Sequence, residues 1–204
     1  MIMILNEIKI TDKVSIYITN IEYNKEQLIK EIKLNSDVNA TSIRVPSKET
    51  PGLQSDIIIR GEEIDRINKY ALTLLGSELK CNINKPLYHH SWSYKSDDTN
   101  IYESYHAHTS SPGTNINNME WTHTFYVQMP DNLEGDDGYL LFKTKEGVEY
   151  KMLPNEGDLV FFPASLSHMP KTNTKSKVER IVLGGLFKSL NLNDKIIKEE
   201  KSLI

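Results

Sequence analysis

The sequence lacks the features that mark secreted and membrane-spanning proteins. Its 204 residues include one cysteine, Cys81, which has no second thiol in the chain with which to form a disulfide. No apolar run approaches the roughly 20 residues of a membrane-spanning helix. The apolar start, Met1–Leu5, is too short for the core of a signal peptide and has no basic leader. These absences predict a soluble protein of a reducing, cytoplasmic compartment.

An excess of charge of one sign is also missing. Lys and Arg number 24 against 28 Asp and Glu, which gives a net charge of -4, and the basic residues form no block of five or six. The net charge therefore does not indicate a nucleic-acid partner, although it does not exclude a locally basic groove. The length suits one sizeable core and is short for two full domains. We expect one domain over residues 1–204, with supporting strands and helices in 1–85, the β core in 86–187 and a tail in 188–204.

Two helices are predicted in the N-terminal part of the chain. Asn24 followed by Gln27 resembles a capping box, and it opens a helix over about residues 24–34. The polar stretch 35–51 reads as a loop. Residues Glu62–Leu79 form the clearest helix, because their apolar side chains recur at intervals of three and four and their first turn is acidic.

Strands dominate the remainder. The chain contains short alternating or apolar runs that are separated by turn residues, and each run predicts a strand. The predicted strands are Ile2–Ile10, Val14–Ile18, His89–Lys95, Ile101–His108, Trp121–Met129, Tyr139–Lys143, Val148–Met152, Leu159–Phe162 and Val178–Phe187. Short strands at this spacing favour an all-β sandwich or barrel, here with helices beside it.

The pair His106 and His108 is the first candidate for a metal site. Residues two apart on an extended strand point to the same face, so both imidazoles would converge on one spot. Imidazole suits iron, zinc, copper and nickel. The alternative is a pair of surface histidines on an edge strand.

His168 and Arg180 extend the candidate site. His168 ends an apolar strand that follows the turn at residues 154–158, and Arg180 is the only arginine beyond residue 66. Arg180 opens the apolar strand residues Ile181–Leu183, where an unpaired charge is costly. It could pair with Glu179 or Asp158, or it could bind an anion, because a guanidinium matches a carboxylate with two hydrogen bonds.

Several segments between about residues 86 and 187, taken in order, resemble the Fe(II)/2-oxoglutarate-dependent oxygenases. The resemblance is to the small prolyl-hydroxylase-like and phage-type members in particular. The segments are His89–Tyr94, Tyr105–His108, Thr122–Pro130, Gly138–Phe142, Leu153–His168 and Arg180–Ile181.

This resemblance implies a fold, an activity and a set of site residues. The fold would be a double-stranded β-helix (a cupin-like jelly roll), mainly β, with the N-terminal helices supporting one face. The activity would be hydroxylation of an unidentified substrate with Fe(II), 2-oxoglutarate and O2, releasing succinate and CO2. His106 and His168 would bind iron, and Arg180 would hold the distal carboxylate of 2-oxoglutarate. Strand parity makes Tyr126 or Thr124 candidates to bind the same carboxylate. A phage-encoded origin, with action in the host cytoplasm, would fit.

The chain departs from the usual ligand set of two histidines and one carboxylate. His108 occupies the carboxylate position, and the sequence contains no His-x-Asp or His-x-Glu. Phage-type members resemble this chain in carrying His-x-His. His108 could be the third ligand, its position could stay open or hold water, or a carboxylate such as Glu103 or Glu120 could replace it. An imidazole there leaves the site one charge more positive than the usual set.

Two other functions stay open at this stage. A three-histidine metal dioxygenase would use no 2-oxoglutarate, and Arg180 would then bind a carboxylate of the substrate. A jelly-roll binding protein without metal would need none of these histidines. For an enzyme, the polar loop Thr109–Glu120 and residues 96–104 are the expected places of substrate selection, because long loops beside active sites often act as lids.

Overall fold

The computed structural model describes residues 5–38, 53–54, 59–78, 87–96, 104–108, 120–171 and 176–189, with backbone alone in 36–38, 53–54, 87–96 and 188–189. The helices are α1 (Lys25–Val38) and α2 (Glu62–Ser77). The strands are β1 (Asn6–Thr11), β2 (Val14–Asn20), β3 (Leu53–Gln54), β4 (Leu87–Ser96), β5 (Trp121–Gln128), β6 (Leu140–Lys143), β7 (Glu149–Met152), β8 (Asp158–Pro163), β9 (Ser167–Pro170) and β10 (Arg180–Ser189).

The strands form two antiparallel sheets. The large sheet has the order β1-β2-β8-β5-β10-β4-β3, and the small sheet has the order β7-β6-β9. The structure is therefore mainly β with two helices, as the sequence predicts. A register shift between Ile181 and Val182 interrupts the pairing of β10 with β5 beside Arg180. Such irregularities are common next to functional sites because they redirect side chains.

The large sheet has one face toward the helices and one toward the small sheet. Along β5, Phe125 and Val127 pack in a core cluster with residues of α1 and α2. Tyr126, between them, belongs to a second cluster that includes Phe142 of the small sheet. Strand alternation explains this division. The helices therefore support the outer face, and the inner face encloses the space between the sheets.

Helix α1 is longer than the sequence predicts. The expected cap is present, because Asn24 Oδ1 accepts a hydrogen bond from Gln27 N at 3.2 Å. The expected end near residue 34 is wrong, since α1 continues to Val38. The side chain of Asn35 donates to the carbonyl oxygens of Glu31 and Arg60, both at 2.8 Å. This tertiary link joins α1 to the segment before α2, and the local sequence gives no sign of it.

The strand predictions differ from the structure in three places, one of which is the two-residue strand β3, which was not predicted. Of the predicted strand Ile101–His108, the described residues 104–108 form only a single bridge, between His106 and His168. The partner segment turns at residues 164–165, so a longer ladder cannot form. Strand β9 was not predicted, because it has only four residues and ends at Pro170.

Some expectations fall outside the described residues. They concern most of the loop 109–120, most of the segment 96–104, and the tail beyond residue 189. In the described ranges, neither helix is long and apolar enough to cross a bilayer.

Gly157 shapes the turn before β8, and Gly157→Ala is expected to lower the free energy of unfolding by about 2–4 kcal/mol. Its φ of +85° is costly for an L side chain. A Cβ there would also lie 3.1 Å from both Ile21 O and Asn20 Nδ2, so crowding adds to the cost. Chemical denaturation measures the loss.

Gly147 is the matched control for this turn. It has the same φ of +85°, yet a Cβ there would meet nothing within 4 Å. Gly147→Ala should therefore cost only about 1–2 kcal/mol. Equal losses for the two variants would show that crowding at Gly157 contributes nothing.

Candidate metal centre

Three histidines come together where residues 104–108 run beside the turn between β8 and β9. His106 and His168 exchange two backbone hydrogen bonds, each of 2.9 Å, and His108 N donates to Ala164 O at 2.9 Å. The ligand atoms of His106, His108 and His168 all lie within 4.8 Å of one another. The structure thus brings together three histidines from two distant parts of the chain, and such a group could hold a metal ion.

Backbone carbonyls orient two of the rings. His106 Nδ1 lies 3.3 Å from Ser104 O, and His168 Nδ1 lies 3.1 Å from Leu166 O. A carbonyl oxygen can only accept, so each Nδ1 carries the proton in these contacts. The lone pair of each Nε2 is then available to a metal, which is the arrangement that metal-binding histidines commonly have.

Burial keeps these imidazoles neutral. It lowers the pKa of His106, and it lowers the pKa of His108 to about 4, with a smaller contribution from the neighbouring His106. Burial also holds the pKa of His168 well below its usual range. Since a metal binds the deprotonated ring, all three side chains are in the ligating form at neutral pH.

The histidines adjoin the apolar interior between the sheets. The rings of Phe162 and His168 meet edge to face at 4.7 Å between centroids, and those of Phe142 and Phe162 at 5.2 Å. This apolar wall limits the access of water to one side of the cluster.

Arg180 lies in the same interior, where none of the described residues is its ionic partner. It is 2% exposed. Its Nη1 donates to Lys171 O at 3.1 Å, while its Nε has no hydrogen-bond partner among the described residues. Within these residues no carboxylate forms an ion pair with it. The structure therefore buries a cation with an unused donor.

Of the two acidic residues that could have neutralised Arg180, Asp158 has its carboxylate engaged elsewhere, and Glu179 forms no ion pair with Arg180 among the described residues. The carboxylate of Asp158 accepts hydrogen bonds from Asn20 Nδ2 at 2.8 Å and from Asn155 N at 2.7 Å. Glu179 offers its backbone carbonyl to Gln128 Nε2 at 2.8 Å. An ion pair with either residue is thus absent from the described part of the chain.

Tyr126 adjoins Arg180. The guanidinium carbon lies 5.4 Å from the centre of the Tyr126 ring. Burial raises the pKa of Tyr126, and the charge and the side-chain donor of Arg180 partly offset that rise. Arg180 thus lies within reach of the hydroxyl, which makes no hydrogen bond of good geometry to the described residues. Thr124 shares this inward face by strand alternation and is half-buried.

The histidine cluster and Arg180 are linked along one short stretch of chain. Lys171, whose carbonyl accepts from Arg180, comes three residues after His168. Three residues of extended strand span about 10 Å. The histidine cluster and the buried guanidinium therefore belong to one interior region.

The remaining candidates lie elsewhere. His123 faces the helices, since its ring packs against Phe187 at 5.3 Å between centroids. Glu120 is not part of the histidine cluster, and Glu103 lies outside the described residues. His89 and His90 pair in register with Phe187 and Leu186 on β10.

Thr122 is an inward residue to which the sequence assigned no role. It lies on the face of Tyr126, is 1% exposed, and its hydroxyl has no partner in the described ranges. Strand parity could have placed it on this face, but the missing partner shows only in three dimensions.

Comparisons with known proteins give structural matches only. No family model and no curated protein matches this chain. A prolyl-4-hydroxylase from Pseudomonas putida is 16% identical with a TM-score of 0.54, over 86% of this chain and 93% of that one. HygX from Streptomyces hygroscopicus, solved with nickel and 2-oxoglutarate, is 9% identical with a TM-score of 0.56, over 87% and 84%. AviO1 from Streptomyces viridochromogenes is 11% identical with a TM-score of 0.53, over 84% and 89%.

The fold is a jelly roll, like that of these solved structures. The predicted fold class is thereby confirmed, and so is the resemblance at the level of the fold. Sequence identities this low support the fold alone. The ligands that this chain binds depend on its own residues.

Proposed function

We propose that this chain is an Fe(II)- and 2-oxoglutarate-dependent oxygenase that hydroxylates its substrate and releases succinate and CO2. One observation carries the proposal: a buried guanidinium with an unused donor shares an interior with three neutral, converging imidazoles. The first group suits a carboxylate and the second a divalent metal. A 2-oxo dicarboxylic acid bound to iron uses both.

His106, His108 and His168 are the proposed iron ligands. Three nitrogen donors leave further positions of the metal open for 2-oxoglutarate and O2. The bound iron would supply the reduction of O2 that is coupled to decarboxylation of 2-oxoglutarate. The protein's part is to fix the ring orientations through the Ser104 and Leu166 carbonyls.

Arg180, Tyr126 and Thr124 are the proposed ligands of the distal carboxylate. Arg180 Nε has no hydrogen-bond partner among the described residues, and the buried Tyr126 hydroxyl lies beside the guanidinium, so a bound anion could accept from both. Leaving such groups without partners costs about 1–3 kcal/mol each, or more for a charge. Thr124 adds a hydroxyl on the same face of β5.

His108 gives this site its particular charge. With imidazole instead of carboxylate, the metal and its ligands carry one more positive charge than the usual set. A dianionic co-substrate should therefore bind more tightly to this site than to one with the usual ligands. The described residues offer no carboxylate in the cluster that would cancel it.

We propose that residues 1–204 form one catalytic domain. Strand β2 pairs with β8, and β4 pairs with β10, so residues before 97 complete the sheet that carries Arg180. The N-terminal segments are thus part of the sheet rather than an appended unit.

Anaerobic titration of the Fe(II)-loaded protein with 2-oxoglutarate tests the proposal. Chelation of iron by the 2-oxo acid is expected to produce a charge-transfer band in the visible, which protein with Fe(II) alone does not show. Admission of O2 should then yield succinate. If the iron-loaded protein gives neither band nor succinate, the proposed function is wrong.

The all-histidine cluster favours one alternative, a metal dioxygenase that needs no 2-oxoglutarate. Arg180 would then hold a carboxylate of the substrate. Consumption of O2 without 2-oxoglutarate and without succinate would identify that enzyme. Failure of the purified protein to bind Fe(II) would point instead to a binding protein without catalysis.

A further inference from the structure

Thr122 lies at the histidine end of the inward face of β5. It pairs in register with Phe162 of β8, whose ring contacts that of His168 at 4.7 Å. Two residues earlier, Glu120 O accepts from Ala164 N, and Ala164 O accepts from His108 N. Tyr126 lies at the Arg180 end, four residues and about 13 Å farther along the strand.

The hydroxyl of Thr122 has no structural use. It is buried, and the described chain offers it no hydrogen-bond partner. Valine has the same branched shape and would fill the position without leaving a buried polar atom unsatisfied. Buried hydroxyls normally have partners, and since the described residues supply none, a bound ligand is the natural partner here.

We propose that Thr122 is a positioning residue whose hydroxyl donates a hydrogen bond to the metal-chelating oxo-acid end of bound 2-oxoglutarate. The inference rests on the proposed function and adds a contact at the end of the co-substrate opposite to Arg180. Its pairing with Phe162, whose ring contacts that of His168, selects this end, because Arg180 and Tyr126 occupy the other.

Thr122→Val tests the inference by two effects of different sign. Without ligand, the melting temperature should stay unchanged or rise by up to about 4 °C, since an unsatisfied hydroxyl is removed. In the Fe(II)-loaded protein, the affinity for 2-oxoglutarate should fall by about tenfold or more, as expected for a lost hydrogen bond to a charged group. The charge-transfer band should also shift in energy. Thr122→Ser should restore the affinity to within about threefold.

Thr144→Val is the matched control. Thr144 is also buried, but its hydroxyl accepts a hydrogen bond from Val148 N at 3.2 Å, in the hairpin between β6 and β7. This variant should lower the melting temperature and leave the affinity for 2-oxoglutarate and the band unchanged.

Each other outcome overturns the inference in a distinct way. A normal band in wild type together with unchanged affinity in Thr122→Val refutes the contact alone, and a buried water is then the partner. Weaker binding with an unshifted band refutes the assigned end of the co-substrate. Misfolding of Thr122→Val would refute the claim that the Thr122 hydroxyl contributes nothing to the stability of the fold. A wild-type protein without the band refutes the proposed function and this contact together.

Discussion

His168→Ala is expected to weaken the binding of Fe(II) by more than about 100-fold. Residues that only support a ligand already contribute 10- to 100-fold to metal affinity, so loss of a ligand should cost more. The bridge to His106 consists of backbone hydrogen bonds, which the substitution leaves in place. The loss would therefore report on the missing imidazole. Metal titration under anaerobic conditions, with circular dichroism as a check of folding, measures it.

His123→Asn supplies the control for this experiment. His123 is equally buried but faces Phe161 and Phe187, away from the cluster. Its replacement should reduce stability and leave one Fe(II) per folded chain. Metal binding that survives His168→Ala but fails in His123→Asn would contradict the proposed centre. His108→Ala should weaken the binding of Fe(II) as well. If that variant bound Fe(II) with wild-type affinity, His108 would not be a ligand, and only His106 and His168 would remain as ligands.

Arg180→Met is expected to separate stability from co-substrate binding. Without ligand, the unfolding free energy should stay unchanged or rise by up to about 2 kcal/mol, because a buried, unpaired charge is replaced by an apolar chain of similar length. The affinity for 2-oxoglutarate should fall by at least about 30-fold, since truncating one partner of a buried charge pair costs about 2 kcal/mol or more. Denaturation and the anaerobic titration give the two values.

Arg66→Met is the control, and because Arg66 is paired with a carboxylate, this variant is expected to change stability and co-substrate binding in the opposite way to Arg180→Met. Arg66 donates to both carboxylate oxygens of the buried Glu63, at 2.7 and 2.8 Å. Its hydrogen bond is the main cause of the lowered pKa of Glu63. Arg66→Met should lower stability by about 1 kcal/mol and leave 2-oxoglutarate binding unchanged. If Arg180→Met were destabilised as Arg66→Met is and kept its co-substrate affinity, Arg180 would be a structural residue.

Strand parity explains why much of the site could be predicted from the sequence. Alternation along β5 correctly separates Tyr126 from His123, because each residue on a strand reverses its face. His106 and His108 are two residues apart and lie within reach of each other, although a single bridge, rather than a strand, fixes their segment. Their meeting with His168 depends on a pairing between distant segments.

Other features depend on tertiary structure and leave little trace in the sequence. The extension of α1 to Val38 accompanies the hydrogen bond of Asn35 to the distant carbonyl of Arg60. The unused donor of Arg180 could not be inferred, since Asp158 was a plausible partner until the contacts of its carboxylate with Asn20 and Asn155 were known. Residue type and spacing indicate which side chains can meet, and the fold decides which of them remain without a partner.

The order of strands in the large sheet has a consequence for biosynthesis. Strand β5 lies between β8 and β10, and β2 pairs with β8, so these early strands have exposed edges until the later ones leave the ribosome. Long-range pairing of this kind slows folding and populates intermediates that are prone to aggregate. Because His168 and Arg180 also come late, the proposed iron site is complete only after the sheet has closed, and on that proposal metal loading would follow folding.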